Sequence, residues 1–112
     1  MENKQTTIKI SDDFTKYPGA RYRSDGKFSG EEFYEDHFKV ALDKVLKDEQ
    51  QSLIIDFDGT FGYPSSFISE VFTRFAKEYD ADKLIDQKIN FKSDDEPLLI
   101  KAIKKTIDDA TE

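Results

Sequence analysis

The stretch Leu53-Ile54-Ile55-Asp56-Phe57-Asp58-Gly59-Thr60-Phe61-Gly62-Tyr63-Pro64-Ser65-Ser66-Phe67-Ile68 changes its hydrophobic period half-way along, and that change decides the fold. Leu53 to Phe57 is a continuous apolar run with the length of a buried central strand. A helix follows from Pro64-Ser65-Ser66, where a fixed proline φ and a capping hydroxyl both favour initiation. Its inward face is Ile68, Val71, Phe72, Phe75 and Tyr79, spaced i, i+3, i+4, i+7 and i+11; Ser66, Phe67, Glu70 and Arg74 fall on its flanks or outside. A strand running through a short glycine-containing loop into a helix is the building unit of an α/β sheet.

Upstream, Thr7-Ile8-Lys9-Ile10 alternates as a half-buried strand does. The segment from Tyr17 to Gly26 is rich in turn residues and reads as loop, with a short strand over Ala20 to Arg23. Ser29-Gly30-Glu31-Glu32 has the spacing of a capping box, and Tyr34, Phe38, Ala41, Leu42 and Val45 form one face of the helix it starts. Downstream, Asp80-Ala81-Asp82 is a polar turn and Lys88 to Lys92 alternates as a strand. Ser93-Asp94-Asp95-Glu96-Pro97 then opens a last helix, its carboxylates capping the positive end of the dipole, with Leu99, Ile100, Ile103, Ile107 and Ala110 inward. The expectation is one α/β domain over residues 1–112: a small mixed sheet of about four strands with about three packed helices, and residues 1–5 and 109–112 frayed.

At 112 residues the chain supports a single core, and ten Phe and five Tyr supply the aromatic surface to fill it. Seventeen basic and 24 acidic residues give a net charge of −7, which argues against nucleic acid or an anionic membrane as partner and favours a basic protein surface. With no cysteine there is no disulfide, thiol nucleophile or cysteine-ligated metal, in keeping with a reducing compartment. Met1 to Gln5 lacks the apolar core of a signal peptide and no apolar run approaches membrane-spanning length, so a cytoplasmic location is expected. The single histidine, His37, lies among Glu35, Asp36 and Lys39 and has no second histidine to share a metal with. Neither metal nor cofactor is expected, and no glycine-rich loop suited to phosphates is present.

Two motifs carry chemistry. Asp56-x-Asp58-Gly59-Thr60 resembles the nucleophile motif of haloacid dehalogenase-type phosphatases, in which the first carboxylate attacks phosphorus and the second protonates the leaving group with magnesium at hand. That family also needs a hydroxyl, a lysine and a further acidic pair on separate strand ends. Here the only candidates, Lys92, Ser93, Asp94, Asp95 and Lys101, crowd into one short segment. An acid at a strand end beside Gly59 also has a simpler use, binding loop amides.

The second resemblance covers more of the chain. Pro18-Gly19-x-Arg21-Tyr22-Arg23-Ser24-Asp25-Gly26-x-Phe28-Ser29-Gly30-Glu31-Glu32-Phe33, then Ile55-Asp56-Phe57-Asp58-Gly59 and Ser65-Ser66-Phe67-Ile68-x-Glu70-x-Phe72, is similar to the STAS-like domain family of unknown function, over roughly residues 14–80. This family is related to the anti-sigma factor antagonists of bacteria. The resemblance implies a regulatory, non-enzymatic domain that binds a protein, with a GHKL-type ATPase or kinase as partner and phosphorylation of a serine at a helix start as the switch. By position Ser65 matches that serine, with Ser66 beside it. Pro64 and Phe67 replace the acid and the small residue that flank the antagonists' serine pair.

Arg21, Asp58, Gly62, Tyr63, Phe67, Glu70 and Arg74 are then the candidate partner contacts. Phe67 has a competing use in closing the core, Ser66 in satisfying backbone groups near Gly62, and Glu70 in pairing with Arg21 or Arg74. A third reading of the acidic balance is an accessory or antitoxin-like subunit that neutralises a basic protein.

Overall fold

A computed structural model describes residues 4–111. Three strands, β1 (Lys4–Lys9), β2 (Gln51–Asp56) and β3 (Ile89–Lys92), form a sheet in the order β1-β2-β3, and both pairings are parallel. The expected mixed sheet of about four strands is corrected to three among the described residues, all parallel. The missing strand is the one expected over Ala20 to Arg23. There the carbonyls of Ala20 and Arg21 accept the Gly30 and Glu31 amides (2.9 and 3.0 Å), so the segment serves a helix start and is lost to a ladder.

β1 also begins and ends earlier than its alternation suggests. Lys4 N–H donates to the Gln50 carbonyl and Gln5 pairs with Ser52, so neither is frayed. Ile10, buried, leaves the strand for a single helical turn, α1 (Ile10–Asp13), because the Asp13 carboxylate accepts the Lys9 amide at 2.8 Å. Residues 109–111 are likewise ordered in a helix, while the rest of the expected fraying, at residues 1–3 and 112, falls outside the described residues.

Between β1 and β2 the chain makes a 3₁₀ turn (Arg23–Asp25) and then α2 (Gly30–Phe33), a π segment (Tyr34–Phe38) and α3 (Lys39–Leu46) in succession. Ser29 Oγ accepts the Glu32 amide at 3.0 Å, the hydroxyl half of the expected capping box. The wider π turn sets Phe33 and Phe38, five residues apart, on the same side, and both are buried with Tyr34. Between β2 and β3 lie α4 (Ser65–Glu78) and α5 (Ala81–Gln87). Ala81, Leu84 and Ile85 turn their side chains inward, so the expected polar turn at Asp80 to Asp82 is instead the entry to α5. The last helix, α6 (Pro97–Thr111), packs along α4 through Ile103 and Ile107.

One core holds these parts together. Ile8, Leu53, Ile55 and Ile89 point from one face of the sheet into the aromatic mass of Phe33, Phe38, Phe67, Phe72 and Phe75. Gln5, Thr7, Lys9, Ser52, Ile54, Asp56, Asn90 and Lys92 alternate onto the other face, and none of them is buried. All-parallel sheets are ordinarily covered on both faces, so this face, polar apart from the half-buried Ile54, is a distinguishing feature.

Candidate functional site: the β2–α4 junction

The loop from β2 to α4 is held by its own short polar side chains. Asp56 Oδ1 accepts the Asp58 amide at 2.9 Å and Thr60 Oγ1 accepts the Gly62 amide at 3.3 Å, two local turns of the kind aspartate and threonine favour. Gly59 (φ 91°) and Gly62 (φ 116°) take the left-handed conformations the path requires. A side chain at Gly59 would also meet Ser11 Oγ, 2.8 Å from where its Cβ would lie. Tyr63 swings back to donate its hydroxyl to the Phe57 carbonyl at 2.8 Å, and burial raises its pKa above the ordinary phenol value.

Asp58 joins this loop to the end of β3. Its Oδ1 accepts the Asp95 amide (2.9 Å) and its Oδ2 the Lys92 ammonium (2.7 Å), while the Gly59 amide donates to Asp95 Oδ2 (3.0 Å). The Asp95 amide and Lys92 hold the Asp58 carboxyl below the usual carboxylate range, and Asp58 and Asp94 hold Lys92 above the usual lysine range. Asp94 pairs with Lys92 at 3.0 Å, so the expected capping of the last helix by Asp94 and Asp95 is corrected: both carboxylates turn to neighbours carrying positive charge or a free amide. Asp56 and Asp58, the acids of the phosphatase-like motif, are both engaged in holding loops.

The two serines occupy the first two positions of α4. Pro64 takes the N-cap position itself, with φ −57° and ψ 144°, and its carbonyl accepts the Phe67 and Ile68 amides. The hydroxyls therefore lie one and two residues too late to cap, which corrects the expected capping role. Ser65 is exposed and Ser66 half-buried. Thr60, not Ser66, satisfies the Gly62 amide. Phe67 is 1% exposed and packs among Phe14, Phe33 and Tyr63, so its ring belongs to the core and is not presented to a partner.

Arg21, Glu70 and Arg74 form a second group along the flank of α4. Arg21 Nη1 donates to Ser69 Oγ at 3.2 Å and lies 4.0 Å from Glu70, which is 3.8 Å from Arg74. Burial raises the Glu70 pKa above the ordinary carboxylate value, against the pull of both arginines; its side chain is 12% exposed. Arg74 continues to Glu35 and Glu78 and lies over the Tyr34 ring, 4.7 Å from its centre. Ser65 and Ser69 are four apart, as are Ser66 and Glu70, so the serines and the Arg21-bound end share one side of the helix.

One feature of this region is absent from the sequence-based candidates. Tyr17 and Phe61 stack in parallel, ring centres 4.9 Å apart, and are 65% and 77% exposed. The available signal was Phe61 itself, an aromatic residue set between Thr60 and Gly62 where no periodic face exists to receive it; nothing in the sequence pairs it with Tyr17.

No group of three or more His, Asp or Glu side chains among the described residues is placed to hold a metal ion, and no helix there is long and apolar enough to cross a membrane. Neither the curated proteins nor the solved structures contain a significant match to this chain. A family model does match, over residues 29–99, from the buried cap of α2 through the β2–α4 junction and β3 to the start of α6. Because that match covers well over half of the chain and includes both halves of the junction, the chain belongs to the family described as STAS-like domain of unknown function (DUF4325).

Proposed function

We propose that the chain is a non-catalytic regulatory domain of the bacterial cytoplasm that acts by binding another protein at the β2–α4 junction, and that the partner is a GHKL-type ATPase or kinase. The observation that carries this reading is Ser65: exposed, at the first position of a 14-residue helix, with its hydroxyl in no cap bond. A phosphate there adds about −1.5 to −2 charges, which the helix dipole tolerates but an interface fitted to a neutral hydroxyl does not. The fold is thus left standing while the contact is changed. The engagement of Asp56 and Asp58 in loop hydrogen bonds supports a binding role over catalysis.

The test is calorimetric titration of the purified GHKL-type ATPases of the source cell with the wild-type chain, Ser65→Ala and Ser65→Glu. Ser65→Ala is expected to bind as wild type, and Ser65→Glu about tenfold or more weakly. Equal affinity across all three removes the switch.

A further inference from the structure

We infer that the Tyr17–Phe61 stack is the docking anchor of this surface and that its occupant is an arginine-bearing segment of the partner protein. The inference rests on the reading of the β2–α4 junction as a protein-contacting surface and gives its chemistry.

The backbone that carries each ring is tied down. Phe14 is packed among Phe28, Phe33 and Phe67; Thr15 Oγ1 accepts the Tyr17 amide at 3.0 Å; and the Phe61 amide donates to the Lys16 carbonyl at 2.9 Å. Two loops are thereby tied together so that the rings meet at an interplanar angle of 1°. Large exposed aromatic side chains fixed in advance lose little freedom on binding, the property of an interface anchor. Beside them runs a groove of about 350 Å³ lined by Tyr17, Pro18, Phe61, Gly62, Tyr63 and Pro64.

The charge around the groove selects the occupant. Tyr63 also lines a neighbouring small cleft, whose other walls include the acidic residues Asp95 and Glu96. Asp95 is bound to Gly59 through one oxygen only, and Glu96 has no ion pair among the described residues. A guanidinium stacks on an aromatic face while its edge bonds a carboxylate, a combination that the more compact lysine head makes less well. The molecule uses the same arrangement internally, where Arg74 covers the Tyr34 ring and pairs with Glu35 at 3.1 Å. Lys16, which precedes Tyr17 in the chain, is exposed, and Lys9 Cε lies 3.9 Å from where a Cβ on Gly59 would sit. A second copy fits less well, since two chains of net charge −7 repel each other.

The experiment is an NMR titration of the full chain with a blocked tetrapeptide containing one arginine, against counterparts with citrulline or lysine in its place. The Tyr17 and Phe61 ring resonances should shift saturably with the arginine peptide, with the citrulline peptide binding about fivefold more weakly. Phe61→Ala and, independently, Tyr17→Ser should abolish the response while leaving the amide spectrum dispersed. Equal binding of arginine and citrulline peptides, a response that survives both substitutions, or no saturable shift overturns the inference. So do peptide-free ring shifts that depend on protein concentration, which assign the groove to a second copy. The peptide response in Ser65→Glu separates the two proposals: an arginine response without Ser65-sensitive partner binding removes the switch and keeps the anchor, and the reverse removes the anchor alone.

Discussion

Asp58 receives an ammonium on one oxygen and an amide on the other, and so fastens the loop after β2 to the loop after β3. Its depressed pKa fixes the direction of its pH dependence. The contribution of the ionised carboxylate is present above the unfolded value of about 3.9 and is lost as pH falls through the lower folded value. Asp58→Asn is therefore expected to lower the melting temperature at neutral pH, with the difference from wild type shrinking as pH falls from the unfolded value through the lower folded one. A gap that stays constant across an acid titration of the melting temperature contradicts this. The type of work Asp58 does was legible, because an acid beside Gly59 at a strand end commonly binds amides. Its partners were not, since Lys92 and Asp95 are brought there by the parallel pairing of Asp56 with Lys92, which local periodicity does not reveal.

Among the elements, α2 and α4 approach most closely at Gly30. A Cβ there would lie 2.8 Å from the Phe67 carbonyl oxygen and 3.1 Å from Glu70 Cβ, atoms fixed to the backbone of α4 with little room to yield. Gly30→Ala gains about 1 kcal/mol of helix propensity, but forced packing of this kind costs about 1–3 kcal/mol. A net loss of up to about 2 kcal/mol is expected, read as a lower urea midpoint at unchanged slope. A stabilised variant would mean that the crossing has slack. Helices with a long, strongly patterned face, α4 and α6 above all, were readable from spacing. α5 was not, because seven residues carry too few inward positions to stand out from a polar turn. The β1 boundary was misplaced for a different reason: Ile10 suits a strand, and the Asp13 side chain turns it out of one.

For the whole molecule, the aromatic core and the α4–α6 contact form one continuous hydrophobic cluster. Ile107 is buried in that cluster, and Ile107→Ala is expected to cost about 2–5 kcal/mol, a large share of the 5–15 kcal/mol typical of a domain. Because the cluster is continuous, the loss should appear at the same denaturant concentration for probes on the sheet and on α6; separated transitions would divide the molecule into two units. The α/β class was legible from alternating periods. The strand count was not, because an apparent strand in the residue 20–23 segment was needed as carbonyl acceptors for α2.

The order β1-β2-β3 has a further consequence, for synthesis of the chain. Lys4 waits for Gln51 and Leu53 for Ile89, so no sheet pairing is local and each strand must be stored unpaired until the next emerges from the ribosome. Strand order nevertheless equals chain order, so each new strand adds at the free edge of what has already formed and none has to be inserted between two others. Growth of the sheet can thus follow the direction of translation, with β3 added beside β2 and neither earlier strand displaced.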